Sequence, residues 1–265
     1  MAAKNTEKQA LTGLVLSGGG ARGYAHLGAL KALNEEGIFP EILSGTSAGA
    51  IAGVLYADGY TPDEILKILS KNSRLDFMSF SLPKAGLMNM TGMIDLLRQT
   101  LRAKTFEELK IPLFVAATDI NNGIIKYFSK GELISPVVAS ASIPVVFRPV
   151  VIDSISYVDG GVIDNLPVAP IEKRCGIIIG SYVNHSGIAP NLTSLLAIAE
   201  RSFHLSVSKD IAAKKRKFDL YIAPDKLKNY NAFDQGKARD IFETGYEAAK
   251  RAIEEYRSQQ RKRVI

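Results

Sequence analysis

The chain has 265 residues, 46% apolar and 23% charged, a balance that fits a globular protein with a buried core and excludes a disordered chain. No run of 18 apolar residues occurs, the first ten residues carry no apolar signal-peptide region, and the single cysteine, Cys175, has no partner for an internal disulfide, so a cytoplasmic protein is expected. The formal charge of +6 gathers late in the chain, where Lys214-Lys215-Arg216-Lys217 and Arg261-Lys262-Arg263 are read either as solvated helix face and tail or as a peripheral contact with anionic lipid headgroups. Nucleic acid is not expected, because no aromatic-interleaved basic module accompanies the charge.

After a polar tail, residues 1–10, Leu11–Ser17 reads as a buried strand. It runs into Gly18-Gly19-Gly20-Ala21-Arg22-Gly23 and then a helix from Tyr24 to Glu36, closed by Gly37. Strand, glycine loop and helix together point consecutive backbone N–H groups at an anion. Gly18, Gly20 and Gly23 fit the spacing of the dinucleotide fingerprint, with Glu41 about where a ribose-binding acid belongs, so a nucleotide-binding protein is one alternative. The missing Gly-Lys-Ser/Thr excludes a P-loop. Arg22 is read two ways, as an anchor of the loop or as an attractor of an anionic headgroup.

The stretch from Ile42 to Gly53 reads as a short apolar strand, a glycine-flanked serine and a helix of small residues, and it contains Gly45-Thr46-Ser47-Ala48-Gly49, the G-x-S-x-G pattern of a nucleophile elbow. Serine on so tight a turn needs small neighbours, and it lifts its hydroxyl clear of the sheet beside a helix N-terminus. There the N–H of Ala48, with those of Gly18, Gly19 and Gly20, can hold a developing oxyanion. A helix start capped by a serine is the plain alternative. Thr61-Pro62-Asp63-Glu64 then reads as a capping box that opens a helix to about Lys71. From Asn72 to Met93 the apolar residues follow no period. Phe77, Met78, Phe80, Met88, Met90 and Met93 are read either as a satellite cluster under a loop or as an adaptable lid or acyl-chain groove.

Ile111–Asp119 and Ile124–Phe128 read as a hairpin about Asn121-Asn122-Gly123, and Glu132 to Ser142 as a helix ending before Pro144. A short strand, Ile155 to Val158, leads into Asp159-Gly160-Gly161. Cys175–Tyr182 reads as a buried strand, Leu192–Lys217 as one long helix, Asp219–Ala223 as a last strand and Lys237–Arg257 as an amphipathic helix with a face for a homodimer. The expected organisation is a single α/β domain, residues 11–257, on a largely parallel sheet, with a basic tail at 258–265. A serine nucleophile needs a base. Of His26, His185 and His204, only His185 follows a strand as a triad histidine would. Asp159, freed by two glycines after a strand, is the more suggestive partner, while Asp153 and Asp164 read as turn residues.

Three motifs in this order, Gly18 to Gly23, Gly45 to Gly49 and Asp159 to Gly161, resemble the patatin-like phospholipase family, as do Ala141-Ser142-Ile143-Pro144 and the run from Asp159 to Pro167. The resemblance implies a three-layer α/β/α fold and a serine–aspartate dyad with no triad histidine, no metal and no cofactor. It implies Ser47 as nucleophile, Asp159 as base, and Gly18, Gly19, Gly20 and Arg22 in the oxyanion loop. A lipid acyl hydrolase of phospholipase A or lysophospholipase type is the expectation, with acyl transfer from the same acyl-enzyme as the alternative.

Overall fold

Successive residues of the first strand, β1 (Thr12–Leu16), face opposite ways and so divide the molecule into layers. Leu14 and Leu16 enter the larger apolar cluster while Val15 enters a smaller one on the other side. The next strand, β2 (Ile42–Thr46), repeats the division with Leu43 and Ile42. The structure is a computed structural model and describes residues 11–72, 90–185, 195–207, 211–231 and 234–263.

Between β1 and β2 lies α1 (Tyr24–Glu35), and after β2 come α2 (Ala48–Ala57), α3 (Pro62–Asn72) and α4 (Thr91–Thr100). The middle of the chain supplies β3 (Leu113–Asp119), β4 (Ile124–Phe128), α5 (Ile134–Ser140), β5 (Val150–Ile152) and β6 (Ile155–Asp159). It closes with β7 (Ile177–Ser181), α6 (Leu195–Ser206), α7 (Ile211–Lys215), β8 (Leu220–Ile222) and α8 (Ala238–Arg263). The eight strands form one sheet in the order β5-β6-β3-β2-β1-β7-β8, with β4 also on β3. The stretch from β3 through β2, β1 and β7 to β8 is parallel, and β4, β5 and β6 run antiparallel at one side. Helices α1, α2 and α8 pack on the face of the larger cluster, whereas Leu166, Val168, Ile171 and, from α7, Ile211 cover the other.

Local chemistry makes most of these elements where the sequence places them. Thr61 N–H donates to Glu64 Oε2 at 2.8 Å and Glu64 N–H to Thr61 Oγ1 at 3.3 Å, the reciprocal bonds of a capping box. Asp119 Oδ1 accepts from Asn121 and Asn122 N–H and closes the β3–β4 turn. Other elements differ from expectation. The single helix expected over 192–217 is found as α6 and α7. The helix α8 runs on to Arg263, through most of the expected basic tail. Its apolar residues Ile241, Phe242, Ala249 and Ile253 are buried within the chain, so the stripe expected to serve a homodimer is already covered. The strand expected at 155–158 is β6, but an unexpected strand, β5, pairs with it as a hairpin whose two turn residues, Asp153 and Ser154, both have positive φ (49° and 65°), as a type I′ turn requires.

Among the described glycines, the tightest approaches join α1 to α8. A Cβ on Gly28 would lie 1.9 Å from the carbonyl oxygen of Phe242, and one on Gly245 would lie 2.0 Å from that of Ala25. Both obstacles are backbone and cannot turn aside. Alanine gains about 1 kcal/mol of helix propensity over glycine, but overpacking a rigid contact costs typically 1–3 kcal/mol or more. Gly245→Ala is therefore expected to destabilise the protein. Urea unfolding checks this, and a higher midpoint in the variant would contradict the rigid contact.

Candidate active site

One edge of β3 brings the two chemically suggestive residues together. Thr46, the last residue of β2, is paired with Ala116, and Asp159, the last residue of β6, is paired with Ala117. The other edge of β3 is taken by β4 over the same residues, so β2 and β6 share this one. Since β2 is parallel to β3 and β6 antiparallel, their C-terminal ends meet head-on. Gly160 makes the meeting possible, because a Cβ there would lie 2.2 Å from the carbonyl oxygen of Ala116.

Ser47 occupies φ 54°, ψ −121°, a conformation that costs a non-glycine residue on the order of 1–3 kcal/mol. Its position is over-determined. A Cβ on Gly49 would strike Leu16 O at 2.3 Å, so the elbow sits hard against the end of β1. The backbone N–H of Ser47 donates to Ser140 Oγ at 2.9 Å, and that hydroxyl donates to Ala116 O at 2.6 Å. Asp159 is held by the same neighbourhood: its N–H donates to Ser142 O at 2.9 Å, and Thr118 Oγ1 donates to its carbonyl at 3.0 Å. The end of α5 thus fixes Ser47 and Asp159 alike. Ser140 was not singled out by its sequence pattern; the cue is only the serine-rich run between an apolar helix and Pro144.

Asp159 is 1% exposed. Its Oδ1 accepts the Gly161 N–H at 2.7 Å, while Oδ2 has no hydrogen-bond partner among the described residues. Burial without a cation pushes its pKa up to about 7, and the Ser47 hydroxyl and the Gly161 N–H offset part of that rise. The Ser47 hydroxyl is close enough to favour the carboxylate but falls short of a closed hydrogen bond, as is common in the resting state of a serine site. Asp164 is treated differently by its surroundings. It accepts from Tyr127 Oη at 2.6 Å and is paired with Lys214, as fits a turn residue held in place.

The glycine loop reaches the elbow by close approach, for a Cβ on Gly23 would lie 2.6 Å from that of Ala48. The N–H of Gly18, expected among the oxyanion donors, donates to Asn165 O at 3.2 Å and is engaged within the chain. Among the described residues the N–H groups of Gly19, Gly20 and Ala48 have no partner. Arg22 is buried and donates through Nη1 to the main-chain carbonyl of His185, which makes it an anchor of the loop. His26 is fully buried, with Nε2 against Ser17 O and Nδ1 against Ser181 Oγ, both at 2.8 Å. Burial lowers its pKa to about 4 and the bond to Ser17 O opposes this only in part, so it braces the loop as a neutral ring. The ring of His185 packs edge-on against Tyr182, and no described contact joins it to Ser47. The side chain of His204 lies outside the described residues.

Beside Ser47 and Asp159 stands an apolar wall of Ile143, Val146 and Phe147, with Met90 and Phe203 packed on it. Phe203 approaches to 3.2 Å of where a Cβ on Gly161 would be. Of the residues read as lid or groove, Met90 and Met93 pack on the core, and Phe77, Met78, Phe80 and Met88 lie outside the described residues. The late basic cluster is largely used within the chain: Lys214 pairs with Asp164, Lys217 with Glu172 at 2.8 Å, and Lys215 lies over the Tyr221 ring. Among the described residues no group of three His, Cys, Asp or Glu side chains is arranged to hold a metal, and no helix is long and apolar enough to cross a membrane.

The family model described as patatin-like phospholipase matches residues 14–171. An uncharacterized NTE family protein of Mycobacterium tuberculosis is 37% identical over 181 residues, which cover 67% of this chain and 50% of the relative. Lysophospholipase NTE1 of Kluyveromyces lactis is 29% identical over 271 residues, covering 88% of this chain and 18% of the yeast protein. The chain therefore spans half or less of the length of these relatives. Among solved structures, VipD from Legionella pneumophila superimposes with a TM-score of 0.56 at 15% identity, covering 94% of this chain and 67% of that one, a likeness of fold.

The buried carboxylate has a consequence for stability. Asp159 keeps its proton in the folded chain up to about pH 7, whereas the unfolded chain releases it near 3.8. Between those values the native state binds more protons, so this residue's contribution to stability falls as pH rises through the window and stays reduced above it. Asp159→Asn removes that dependence. The variant is expected to unfold at a higher temperature than the parent near pH 8, with the advantage shrinking toward pH 4. Equal melting temperatures at both pH values would show that the carboxylate is not desolvated.

Proposed function

The chain belongs to the patatin-like phospholipase family, and on that footing we propose that it hydrolyses carboxylic esters of lipids or phospholipids through a Ser47–Asp159 dyad and an acyl-enzyme. The observation that carries this reading is the head-on meeting of a strained serine and a desolvated aspartate whose Oδ2 is without a hydrogen-bond partner among the described residues. A carboxylate poised near neutrality is a workable general base at cellular pH, where an ordinary aspartate is too weak.

In this mechanism Asp159 Oδ2 takes the hydroxyl proton as Ser47 Oγ attacks the ester carbonyl. The N–H groups of Gly19, Gly20 and Ala48 are the available donors for the resulting oxyanion, each such donor being worth about 3–4 kcal/mol of barrier. Collapse of the tetrahedral intermediate passes the proton from Asp159 to the leaving alcohol oxygen and leaves Ser47 acylated. Water then repeats the sequence with Asp159 again as base, releasing the carboxylic acid and restoring the serine. The wall of Met90, Ile143, Val146, Phe147 and Phe203 supports a substrate with an apolar acyl chain. The name of the yeast relative supports a lysophospholipid among the candidates.

A fluorophosphonate probe tests the reading directly. Peptide mass spectrometry is expected to find the adduct on Ser47 in the parent, none in Asp159→Asn, and undiminished labelling in His185→Ala. The labelling rate is expected to rise with pH to a half-maximum near pH 7, where the base loses its proton. Rapid labelling of Asp159→Asn would sink the dyad, and loss of labelling in His185→Ala would restore a histidine base.

A further inference from the structure

One buried side chain at this site is used by neither the dyad nor the backbone donors. Asn165 is 5% exposed, and its Nδ2 has no hydrogen-bond partner among the described residues. A buried amide donor left unpaired is costly and calls for an explanation. Asn165 Oδ1 lies 2.4 Å from where a Cβ on Gly18 would be, and Ser47 Cβ lies 3.2 Å from that same point. The Asn165 amide therefore stands one glycine away from the nucleophile. On its other side Oδ1 lies 3.0 Å from the Cβ position of Gly161, a point that Asp159 Oδ1 approaches equally closely. The main chain of Asn165 engages the glycine loop as well, since its carbonyl accepts the Gly18 N–H.

From these facts, and resting on the ester-hydrolase reading above, we infer that Asn165 Nδ2 is a side-chain donor of the oxyanion site, standing in for the Gly18 N–H that its own carbonyl occupies. Asp159 Oδ2 and Asn165 Nδ2 then have separate duties. Asp159 Oδ2 receives the proton of Ser47, and Asn165 Nδ2 donates to the substrate oxygen as negative charge builds on it. Gly18 is glycine because a side chain would displace the amide from this place. The backbone bond to Gly18 survives any substitution at 165, so loop position and amide donation can be separated.

The test is the second-order rate at which a fluorophosphonate labels Ser47, since its phosphoryl oxygen takes the oxyanion position. In Asn165→Ala the rate is expected to fall by about 10²–10³-fold, the usual effect of losing one such donor, with melting temperature and the pH midpoint of labelling close to the parent's. A rate within threefold of the parent would overturn the inference. So would a loss accompanied by a displaced midpoint, which would mean that Asn165 acts by orienting Asp159. If the alanine variant does not fold, Asn165→Leu keeps the branched shape without the donor; the same loss is expected, and a parental rate overturns the proposal. Absence of labelling in the parent itself would instead reject the serine hydrolase on which the inference stands.

Discussion

The site depends on one strand edge used twice. Ala116 and Ala117 are consecutive on β3, yet one is paired with the end of a parallel strand and the other with the end of an antiparallel one. Two backbone ladders that converge on adjacent residues fix Ser47 and Asp159 relative to each other. That matters because a general base must lie within hydrogen-bond reach of the proton it takes. The ladders hold the two ends poised, and Asp159 Oδ2 has no hydrogen-bond partner among the described residues. The serines at the end of α5 extend the same logic, since Ser140 ties the strained elbow to Ala116 and the Ser142 carbonyl ties Asp159. Strain at an elbow of this kind persists only where the surroundings over-determine it.

Electrostatics then separates residues that sequence alone treats alike. Asp159 and Asp164 are near neighbours in one glycine-rich turn, and both are buried. Asp164 is given Lys214 and the Tyr127 hydroxyl, so its charge is neutralised and its orientation fixed. Asp159 is given one backbone N–H and no cation, so burial raises its proton affinity toward the range where a base can act. Histidine is used in the opposite sense. Both ring nitrogens of His26 are spent on Ser17 and Ser181, and its depressed pKa keeps it an uncharged strut beneath the glycine loop.

Much of this was legible because the relevant constraints are local. The glycines flanking Ser47, the capping box at Thr61 and the turn at Asn121 each carry their own stereochemistry, and strand-versus-helix alternation disclosed the α/β architecture. What was not legible depends on pairs distant in sequence. Nothing near Gly18 reveals that its N–H is spent on Asn165, and nothing near Lys214 reveals an aspartate waiting for it. Strand β5 and its turn into β6 escaped notice because Asp153-Ser154 fills a turn that usually advertises itself with glycine, and the helix α4 because it begins inside an aperiodic, methionine-rich stretch. Ser140 reads as an ordinary small helix residue until its hydroxyl is seen between two strands.

Water exclusion links the catalytic and binding aspects of the proposed reading. The dyad needs Asp159 in a medium of low polarity, and Phe203, which crowds Gly161, belongs to the same apolar wall as Ile143, Val146 and Phe147. An acyl chain laid along that wall would displace still more water from the carboxylate and strengthen every donor aimed at the oxyanion. A short or polar ester leaves the wall wet and forgoes that gain. Preference for apolar acyl groups therefore need not come from a separate specificity pocket. On the proposed reading it follows from the same surroundings that raise the proton affinity of Asp159.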